Sequence, residues 1–517
     1  MQTQNWLLKQ AATQPDRVAV DDGATQLTFA QLAGQLDQLA PGDKVGLLTT
    51  NRLAGYLAAL AIICSGRTVV WLNWRLANEE LSRQIADSQL HCCLVADELW
   101  RPEMGADFIR LQKLAEIAAA PAALVPAFDS DRIASIMYTS GTTGKPKGVL
   151  QTFGNHFYSA VSSALNLGLT GQDKWLCVAP IFHISGFSIM MRGLIYGMTV
   201  RLVAKFRPAA IEQILAAEPV TIMSVVPFML KKLVSQRQAS GQKYQATFRC
   251  MLLGGGTLDR ATLAQCQQLG IPVVQCYGMT ETCSQVIALR ASDALAKIGS
   301  VGQPLFTTRM KLAADGEILL KTPALTPGYL NLPAKLPAKM VDGWYRTGDI
   351  GHLDKDGYLY VDGRADEMMI SGGENIFPQE VEQVYLRYPG IRQLAVVGQP
   401  DAEWGEVPVA FVVSDQPLDQ AQLVAFGYRH LAHYKVPRRY LRVAKLPTNA
   451  SGKIQRYLLR KQLQAIKKRL AKLKFANRFL RFKPDTGQSA GRPGVTFLPL
   501  GACRHCGTRY REYSCVR

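Results

Sequence analysis

Apolar and polar positions along the first 130 residues mix two periods. Lys44-Val-Gly-Leu-Leu48 and Thr68-Val-Val-Trp-Leu72 are apolar runs of strand length, whereas Tyr56-Leu-Ala-Ala-Leu-Ala-Ile-Ile63 between them suits a buried helix. Leu27-Thr-Phe-Ala-Gln-Leu32 opens a further helix, and the alternation predicts α/β layers. Leu72-Asn-Trp-Arg-Leu-Ala77 is expected to end its unit at a sheet edge. Ile133-Ala-Ser-Ile-Met-Tyr138 predicts another buried strand, and Val149-Leu150 resume the apolar pattern after a polar, Gly-rich interruption. Phe187-Ser-Ile-Met-Met-Arg-Gly-Leu-Ile195 reads as an apolar helix. Ser224-Val-Val-Pro227 and Met251-Leu-Leu-Gly-Gly-Gly256 read as buried strands ending in turns, where open α/β sheets hold ligands. Residues 352–361 predict a hairpin turning at Asp356-Gly357. Leu394-Ala-Val-Val397 and Val409-Ala-Phe-Val-Val413 are strand-like among helices, which makes the C-terminal part α+β. No internal repeat interrupts this order.

Composition narrows the class. With 517 residues, two or three domains and a large core are expected, and 48% apolar with 19% charged residues is ordinary for a soluble globular chain. The net charge of +19 would alone suggest a polyanion partner. From Ile466 onward, however, thirteen Lys/Arg stand against two Asp/Glu, so more than half of the excess lies in the last tenth of the chain. The rest is only mildly basic, and no nucleic-acid partner is expected. Eleven cysteines at irregular spacing, Cys92 and Cys93 adjacent, suit buried thiols in a reducing compartment. The first residues lack the basic and apolar regions of a signal peptide, and the longest apolar run, Leu53 to Cys64, is too short to span a bilayer. A cytoplasmic protein is expected.

The polar interruption is Tyr138-Thr-Ser-Gly-Thr-Thr-Gly-Lys-Pro-Lys-Gly148. Gly141, Gly144 and Gly148 permit close backbone approach, Thr139, Ser140, Thr142 and Thr143 can donate hydrogen bonds, and Lys145 and Lys147 add positive charge. Turning N–H groups of this kind form an anion-binding nest, suited to a polyphosphate. A flexible surface hairpin is the bland alternative. It is not a Walker loop, which would need Gly at Thr139 and Ser or Thr at Pro146. The whole eleven-residue string resembles the phosphate-binding loop of the acyl-adenylate-forming superfamily, which includes acyl-CoA ligases, nonribosomal adenylation domains and luciferases. That resemblance implies a large N-terminal AMP-binding domain of α/β layers with a small β subdomain, residues 1–365. A smaller mobile α+β domain, residues 366–464, would follow and carry a catalytic lysine.

Further motifs come in the superfamily's order. His183 alone would be a satisfied core histidine, but Pro180-Ile-Phe-His-Ile-Ser-Gly186 is similar to a motif whose histidine lies beside the acyl pocket. Arg192 either snorkels to the surface or neutralises a second carboxylate of the substrate. Gly254, Gly255 and Gly256 would let a flat ligand approach the backbone. Tyr277-Gly-Met-Thr-Glu281 resembles the fifth motif, which implies Tyr277 packed on adenine, Thr280 bonded to the α-phosphate and Glu281 holding Mg²⁺. Glu281 by itself would be a solvated surface charge. Asp349, expected just after a turn in Trp344-Tyr-Arg-Thr-Gly-Asp349, resembles the ribose-binding aspartate. Residues 362–376 resemble the hinge motif: Arg364 would contact ribose or phosphate, Asp366 would be the hinge, and Gly372 and Gly373 would line a pantetheine tunnel. Lys453, in Leu446-Pro-Thr-Asn-Ala-Ser-Gly-Lys453, stands where the superfamily has its catalytic lysine, although Pro447-Thr448-Asn449 departs from the usual Pro-Lys/Arg-Thr.

The implied reaction converts a carboxylate to an acyl-AMP with ATP and Mg²⁺ and then passes the acyl group to CoA. Lys453 and the loop would act electrostatically, without a general base. Phe182 to Gly186, Ser224 to Pro227, the three glycines and Tyr277 to Gln285 together are most similar to the ligases that act on o-succinylbenzoate in menaquinone synthesis. Their substrate keeps a second carboxylate, for which Arg192 is the candidate, with Ser224, Gly256 and Cys283 as further pocket residues. Another acyl- or aryl-CoA ligase and a standalone adenylation domain are the rival readings. A nonenzymatic polyanion-binding protein is suggested by the tail alone. Residues 465–517 fall outside the resemblance. Leu463 to Phe482 predicts a basic amphipathic helix, either solvated or in peripheral contact with a membrane, and Cys503-Arg-His-Cys506 with Cys515 resembles half a zinc knuckle. Residues 484–517 read as foreign to the rest of the chain.

Overall fold

A computed structural model describes residues 1–36, 43–102, 104, 107–113, 124–140, 146–256, 258, 260–371, 374–401, 403–448 and 454–466. Gly141, Thr142, Thr143, Gly144, Lys145, Gly372, Gly373, Lys453 and the tail from residue 467, with its cysteines, lie outside the described residues. Residues 1–461 form one compact unit and 462–517 a second, of which residues 462–466 are described and helical.

Thr68–Leu72 is buried along its whole length in a six-stranded sheet, parallel to Lys44–Leu48 on one side and to Ile133–Ser140 on the other. The strand is therefore interior, which corrects the expected sheet edge. Its polar continuation at Asn73 leads instead into the helix Asn78–Ser88. The edge is Pro146–Thr152, which pairs antiparallel with Ile133–Ser140 and sets Gly148 opposite Tyr138 and Lys147 opposite Thr139. The two described ends of the phosphate-loop sequence are thus paired antiparallel strands at a sheet edge.

The nine-stranded sheet is parallel through its centre, where Lys174–Cys177, Ile222–Val225, Cys250–Leu253 and Val273–Met279 lie side by side. Successive residues point to opposite faces, as a strand requires. Trp175, Cys177, Ile222, Cys250 and Leu252 join a core with the helices Leu53–Cys64 and Ile184–Tyr196. Leu176, Met223, Val225, Met251 and Leu253 join a second core with Pro208–Ala217, Pro227–Ser240 and Arg260–Gln268. Both faces are covered, which is why these strands read as continuous apolar runs.

Trp344–Leu353 belongs to a five-stranded antiparallel sheet with Arg309–Leu312, Glu317–Lys321, Met340–Val341 and Leu359–Arg364. A last five-stranded sheet is built on the long hairpin of Ile391–Asp401 and Gly405–Ser414, with Pro378–Tyr385 and Gln420–His430 as helices. The architecture is the expected one of α/β layers, a small β subdomain and an α+β C-terminal part. No disulfide joins the eight described cysteines, and seven of them are buried. Among the described residues no helix is long and apolar enough to cross a membrane.

Candidate active site

The strand that leaves the phosphate-loop hairpin is pinned at its far end. Thr152 and Asn155 exchange backbone-to-side-chain hydrogen bonds of 2.9 and 3.0 Å, a capping box that starts the helix Phe153–Leu167. Asn155 Nδ2 also donates to the carbonyls of Pro323 and Leu325, both at 2.9 Å. Alongside, Leu150 N donates to Gly328 O at 3.1 Å and Leu330 N to Gly148 O at 2.8 Å. Residues 323–330 are thereby laid against the strand that carries Lys147.

Asp349 does not follow a turn, as expected from sequence; it lies within the strand Trp344–Leu353. Gly348 before it has φ +77°, a conformation open to glycine at little cost, so a strand interrupted at Gly348 looks like a turn in sequence. The Asp349 carboxylate accepts from Tyr277 Oη at 2.6 Å and from Arg364 Nη1 at 3.0 Å. Arg364 donates also to Thr347 O at 3.2 Å and, through Nε, to Asp366 at 3.2 Å. Four expected residues from three stretches therefore meet in one polar group. Burial, then the Asp349 charge, keeps the Tyr277 phenol protonated far above its ordinary range.

Thr280–Thr282 is a single 3₁₀ turn at the end of the strand Val273–Met279. Gly278 is required just before it, because a Cβ there would stand 2.0 Å from the carbonyl oxygen of Ser284. The Thr280 carbonyl accepts from Gln151 Nε2 at 2.8 Å, and Gln151 Oε1 accepts from Ser135 Oγ at 2.7 Å. His156 Nε2 lies 3.0 Å from the same Ser135 oxygen. An amide oxygen only accepts, so Ser135 directs its proton to Gln151 and His156 donates through Nε2–H, which assigns its tautomer. All three side chains are buried. Burial, then the charge of Arg192, pushes His156 down to about 3, so it is neutral.

Glu281 Oε1 accepts from Tyr329 Oη at 3.0 Å; Tyr329 Oη is 3.5 Å from Tyr345 Oη, to which Lys339 Nζ donates at 3.4 Å. Among the described residues no three His, Cys, Asp or Glu gather as a metal cage. One half-buried carboxylate within reach of the Lys147 charge nevertheless fits Mg²⁺, which takes one or two protein carboxylates and completes its shell with phosphate and water oxygens.

Arg192 is 1% exposed, which excludes snorkelling. Its Nη2 donates to Gln285 Oε1 at 3.3 Å and its guanidinium carbon lies 5.3 Å from the Trp175 ring centroid. Its Nε has no hydrogen-bond partner, and among the described residues no carboxylate pairs with it. Burial lowers its pKa. Trp175 Nε1 donates to Ser224 Oγ at 3.1 Å, so Arg192 and Ser224 flank one indole. Gln285 Nε2 donates in turn to Ser163 Oγ at 2.9 Å. Cys283 is buried, with its carbonyl accepting from Ser159 Oγ at 2.7 Å and its thiol held protonated by burial. Gly254 closes onto Val225 O at 3.1 Å, and Gly255 and Gly256 are exposed at the end of Cys250–Leu253.

His183 caps the helix Ile184–Tyr196, with its ring 4.5 Å from that of Phe182. Its Nε2 is buried without a partner, and burial, then the Arg75 charge, pushes its pKa down to about 4. No hydrogen bond joins His183 to Arg192. The base of the Lys453 loop is closed by a bridge between Thr448 and Ile454 and by Gln455 N donating to Pro447 O at 2.8 Å.

Several residues at the site escaped the sequence reading: Gln151, His156, Gln285, Tyr329, Lys339 and Arg456. Polar Ser135 and Gln151 interrupting two apolar strands were the available signal for the first pair. Tyr329 and Lys339 carry no pattern of their own.

Residues 7–330 match the family model described as AMP-binding enzyme, and residues 380–453 match that of the AMP-binding enzyme C-terminal domain. The chain belongs to the AMP-binding enzyme family. Among AMP-binding enzymes, the 2-succinylbenzoate–CoA ligase of Listeria monocytogenes is 49% identical over 397 residues, 77% of this chain and 84% of the relative. That of Geobacillus kaustophilus is 44% identical over 485 residues, 89% and 97% of the two chains. The o-succinylbenzoate CoA synthetase from Bacillus subtilis, solved in complex with the acyl-adenylate intermediate OSB-AMP, superposes with TM-score 0.84 at 38% identity and covers 89% of this chain and 98% of its own. The same synthetase solved with ATP and magnesium ion gives TM-score 0.83, also at 38% identity, over 89% of this chain and 100% of its own. This AMP-binding enzyme is an acid–thiol ligase of the AMP-forming kind.

Proposed function

We propose that this chain joins 2-succinylbenzoate to CoA in menaquinone biosynthesis. A carboxylate oxygen of the acid attacks the α-phosphorus of ATP, the bond to the β-phosphate oxygen breaks, and diphosphate leaves with the electron pair. The CoA thiolate then attacks the acyl carbon and displaces AMP. Arg192 carries the choice of acid: a buried guanidinium with no carboxylate partner is costly, and a second substrate carboxylate would satisfy it. Ser224, Gly256 and Cys283 would line the same pocket, and His183, neutral with an unpartnered Nε2, would border the reacting carboxylate.

For the nucleotide, Tyr277 would face adenine, Asp349 and Arg364 the ribose, and Thr280 the α-phosphate, with Gly254 and Gly255 beside the base. Thr139, Ser140, Gly141, Thr142, Thr143, Gly144, Lys145 and Lys147 would wrap the outer phosphates. Glu281 would hold Mg²⁺, which when bound neutralises phosphate charge. Lys453 would bridge the two reacting groups, and rotation at Asp366 would move residues 366–464 against residues 1–365 between the half-reactions. The eight described cysteines, none in a disulfide, support a cytoplasmic setting. The basic tail, residues 465–517, would at most touch an anionic membrane surface; equal liposome recovery with and without it would end that idea.

ATP–diphosphate exchange across a panel of mono- and dicarboxylic aromatic acids tests the reading. 2-Succinylbenzoate should drive exchange, whereas equal stimulation by a monocarboxylic acid would favour another aryl-CoA ligase.

A further inference from the structure

We infer that Lys335 and Lys339 join Lys147 in a three-ammonium anchor for the outer two phosphates of the nucleotide, and so for the diphosphate that leaves. This rests on the adenylating reaction proposed above. None of the sequence motifs includes Lys335 or Lys339, which lie in the Pro- and Ala-rich stretch Leu332-Pro-Ala-Lys-Leu-Pro-Ala-Lys339.

The backbone brings this stretch to the phosphate-loop hairpin. Val149 bridges Tyr329, and Leu330 N donates to Gly148 O at 2.8 Å, one residue beyond Lys147. The chain then winds through tight turns, Lys335 N to Leu332 O at 3.0 Å and Ala338 N to Ala334 O at 3.2 Å, and ends in the short 3₁₀ helix Pro337–Lys339. Lys335 and Lys339 both stand close enough to act on Lys147 through their charges. Lys339 Nζ is fixed by Tyr345, at 3.4 Å from its Oη and 5.3 Å from its ring centroid. It faces Glu281, Arg364, Lys335 and Asp349. The lysines thus extend from the ribose-side group around Asp349 to the strand leaving the loop.

All three lysines are half-buried, and among the described residues none forms an ion pair. Lys174, Arg201 and Arg249, by contrast, are matched, with Asp21 at 3.1 Å, Glu218 at 2.7 Å and Asp173 at 2.8 Å. Burial and then mutual repulsion lower the Lys147 pKa, with Glu281 opposing. Three like charges held partly away from water, with Glu281 nearby but no direct ion pair among the described residues, are unfavourable until an anion arrives. Diphosphate is that anion. As the bond between the α-phosphorus and its bridging oxygen breaks, the electron pair passes to this oxygen, and preorganised ammonium groups stabilise it where it forms.

Isothermal titration of the full chain with inorganic diphosphate and Mg²⁺, and separately with AMP, tests the assignment in Lys335→Met and Lys339→Met. Diphosphate affinity should fall about tenfold or more in each variant, as for loss of a charge-assisted hydrogen bond, while AMP affinity holds. Acyl transfer from presynthesised acyl-adenylate to CoA, which involves no diphosphate, should proceed as in the parent chain. Lys339→Arg should keep most of the affinity and shows whether a loss comes from charge or from misfolding. Unchanged diphosphate affinity in both Met variants overturns the anchor. A chain that binds diphosphate through these lysines yet exchanges it with no acid refutes the substrate reading and leaves the anchor standing.

Discussion

Arg456 holds Glu382 through both carboxylate oxygens, with Nη2 at 2.8 and 2.7 Å, while its Nη1 donates to Glu367 at 2.7 Å. Arg456 is three residues beyond Lys453, Glu367 directly follows the proposed hinge at Asp366, and Glu382 accepts a further bond from Val396 N at 2.8 Å. The chain just beyond Lys453 is thereby tied to the residue that follows the proposed hinge. Arg456→Met would leave buried Glu382 and half-buried Glu367 without their cation, and breaking a buried pair typically costs about 3–5 kcal/mol. Thermal unfolding should show that loss. Adenylation, the step for which Lys453 is proposed, should fall well below acyl transfer from preformed acyl-adenylate. An equal drop in both half-reactions would reduce Arg456 to a purely structural role.

Arg192 invites the opposite stability result. Its guanidinium is buried without a carboxylate, so Arg192→Met removes a charge that the ligand-free fold holds at a cost. The ligand-free variant should melt at or above the parent temperature. KM for 2-succinylbenzoate should rise by about tenfold to a hundredfold, the value of a charged hydrogen bond, and KM for ATP should stay put. Arg192→Lys should recover little, because an ammonium lacks the planar fork that Gln285 and Trp175 position. A rise in both KM values would place the residue elsewhere in the mechanism.

Contiguity decided what could be read from sequence. The buried strands at residues 133–138, 224–225 and 251–253 are each determined by neighbours in the chain, and all were legible. Thr68–Leu72 looked like a sheet edge because polar Asn73 and Arg75 follow it, but its place in the sheet is set by pairing with Ile133–Ser140, some sixty residues away. Gln151 meets its partner at Thr280 across 129 residues, and Arg456 meets Glu367 across 89. Such partners leave no periodic trace. Lys335 and Lys339 sit among prolines and alanines that read as a solvated loop, until the bridge from Val149 to Tyr329 shows where that loop lies.

Gln151 ties Ser135 to the Thr280 carbonyl, between the proposed acyl and phosphate sides of the site. Gln151→Glu keeps the acceptor for Ser135 but replaces the donor to the Thr280 carbonyl with an oxygen, in a position 0% exposed. Two oxygens facing each other without a proton, or an acid forced to stay protonated, should lower stability by about 1–3 kcal/mol. Because Thr280 would shift while the Arg192 pocket stays intact, kcat for adenylation should fall with KM for the acid little changed. A change confined to KM would mean that Gln151 serves the acid rather than the phosphate.

Acid should expose His156 through stability. An unfolded chain protonates histidine near pH 6.5, but burial first and the Arg192 charge second hold His156 down to about 3. Between those values the unfolded state binds a proton that the folded state refuses. Stability is therefore complete above pH 6.5, declines as pH drops below it, and stops declining once the folded value is passed. A single group of this kind removes about 1.4 kcal/mol per pH unit, so the interval from pH 6.5 to 5 should take away about 2 kcal/mol. His183, held down to about 4, acts in the same direction. His156→Gln can still donate to Ser135 but does not titrate, so denaturant titrations at pH 7.5 and 5 should differ less for the variant than for the parent. Identical pH dependence in the two proteins would mean that His156 is not buried neutral beside Arg192.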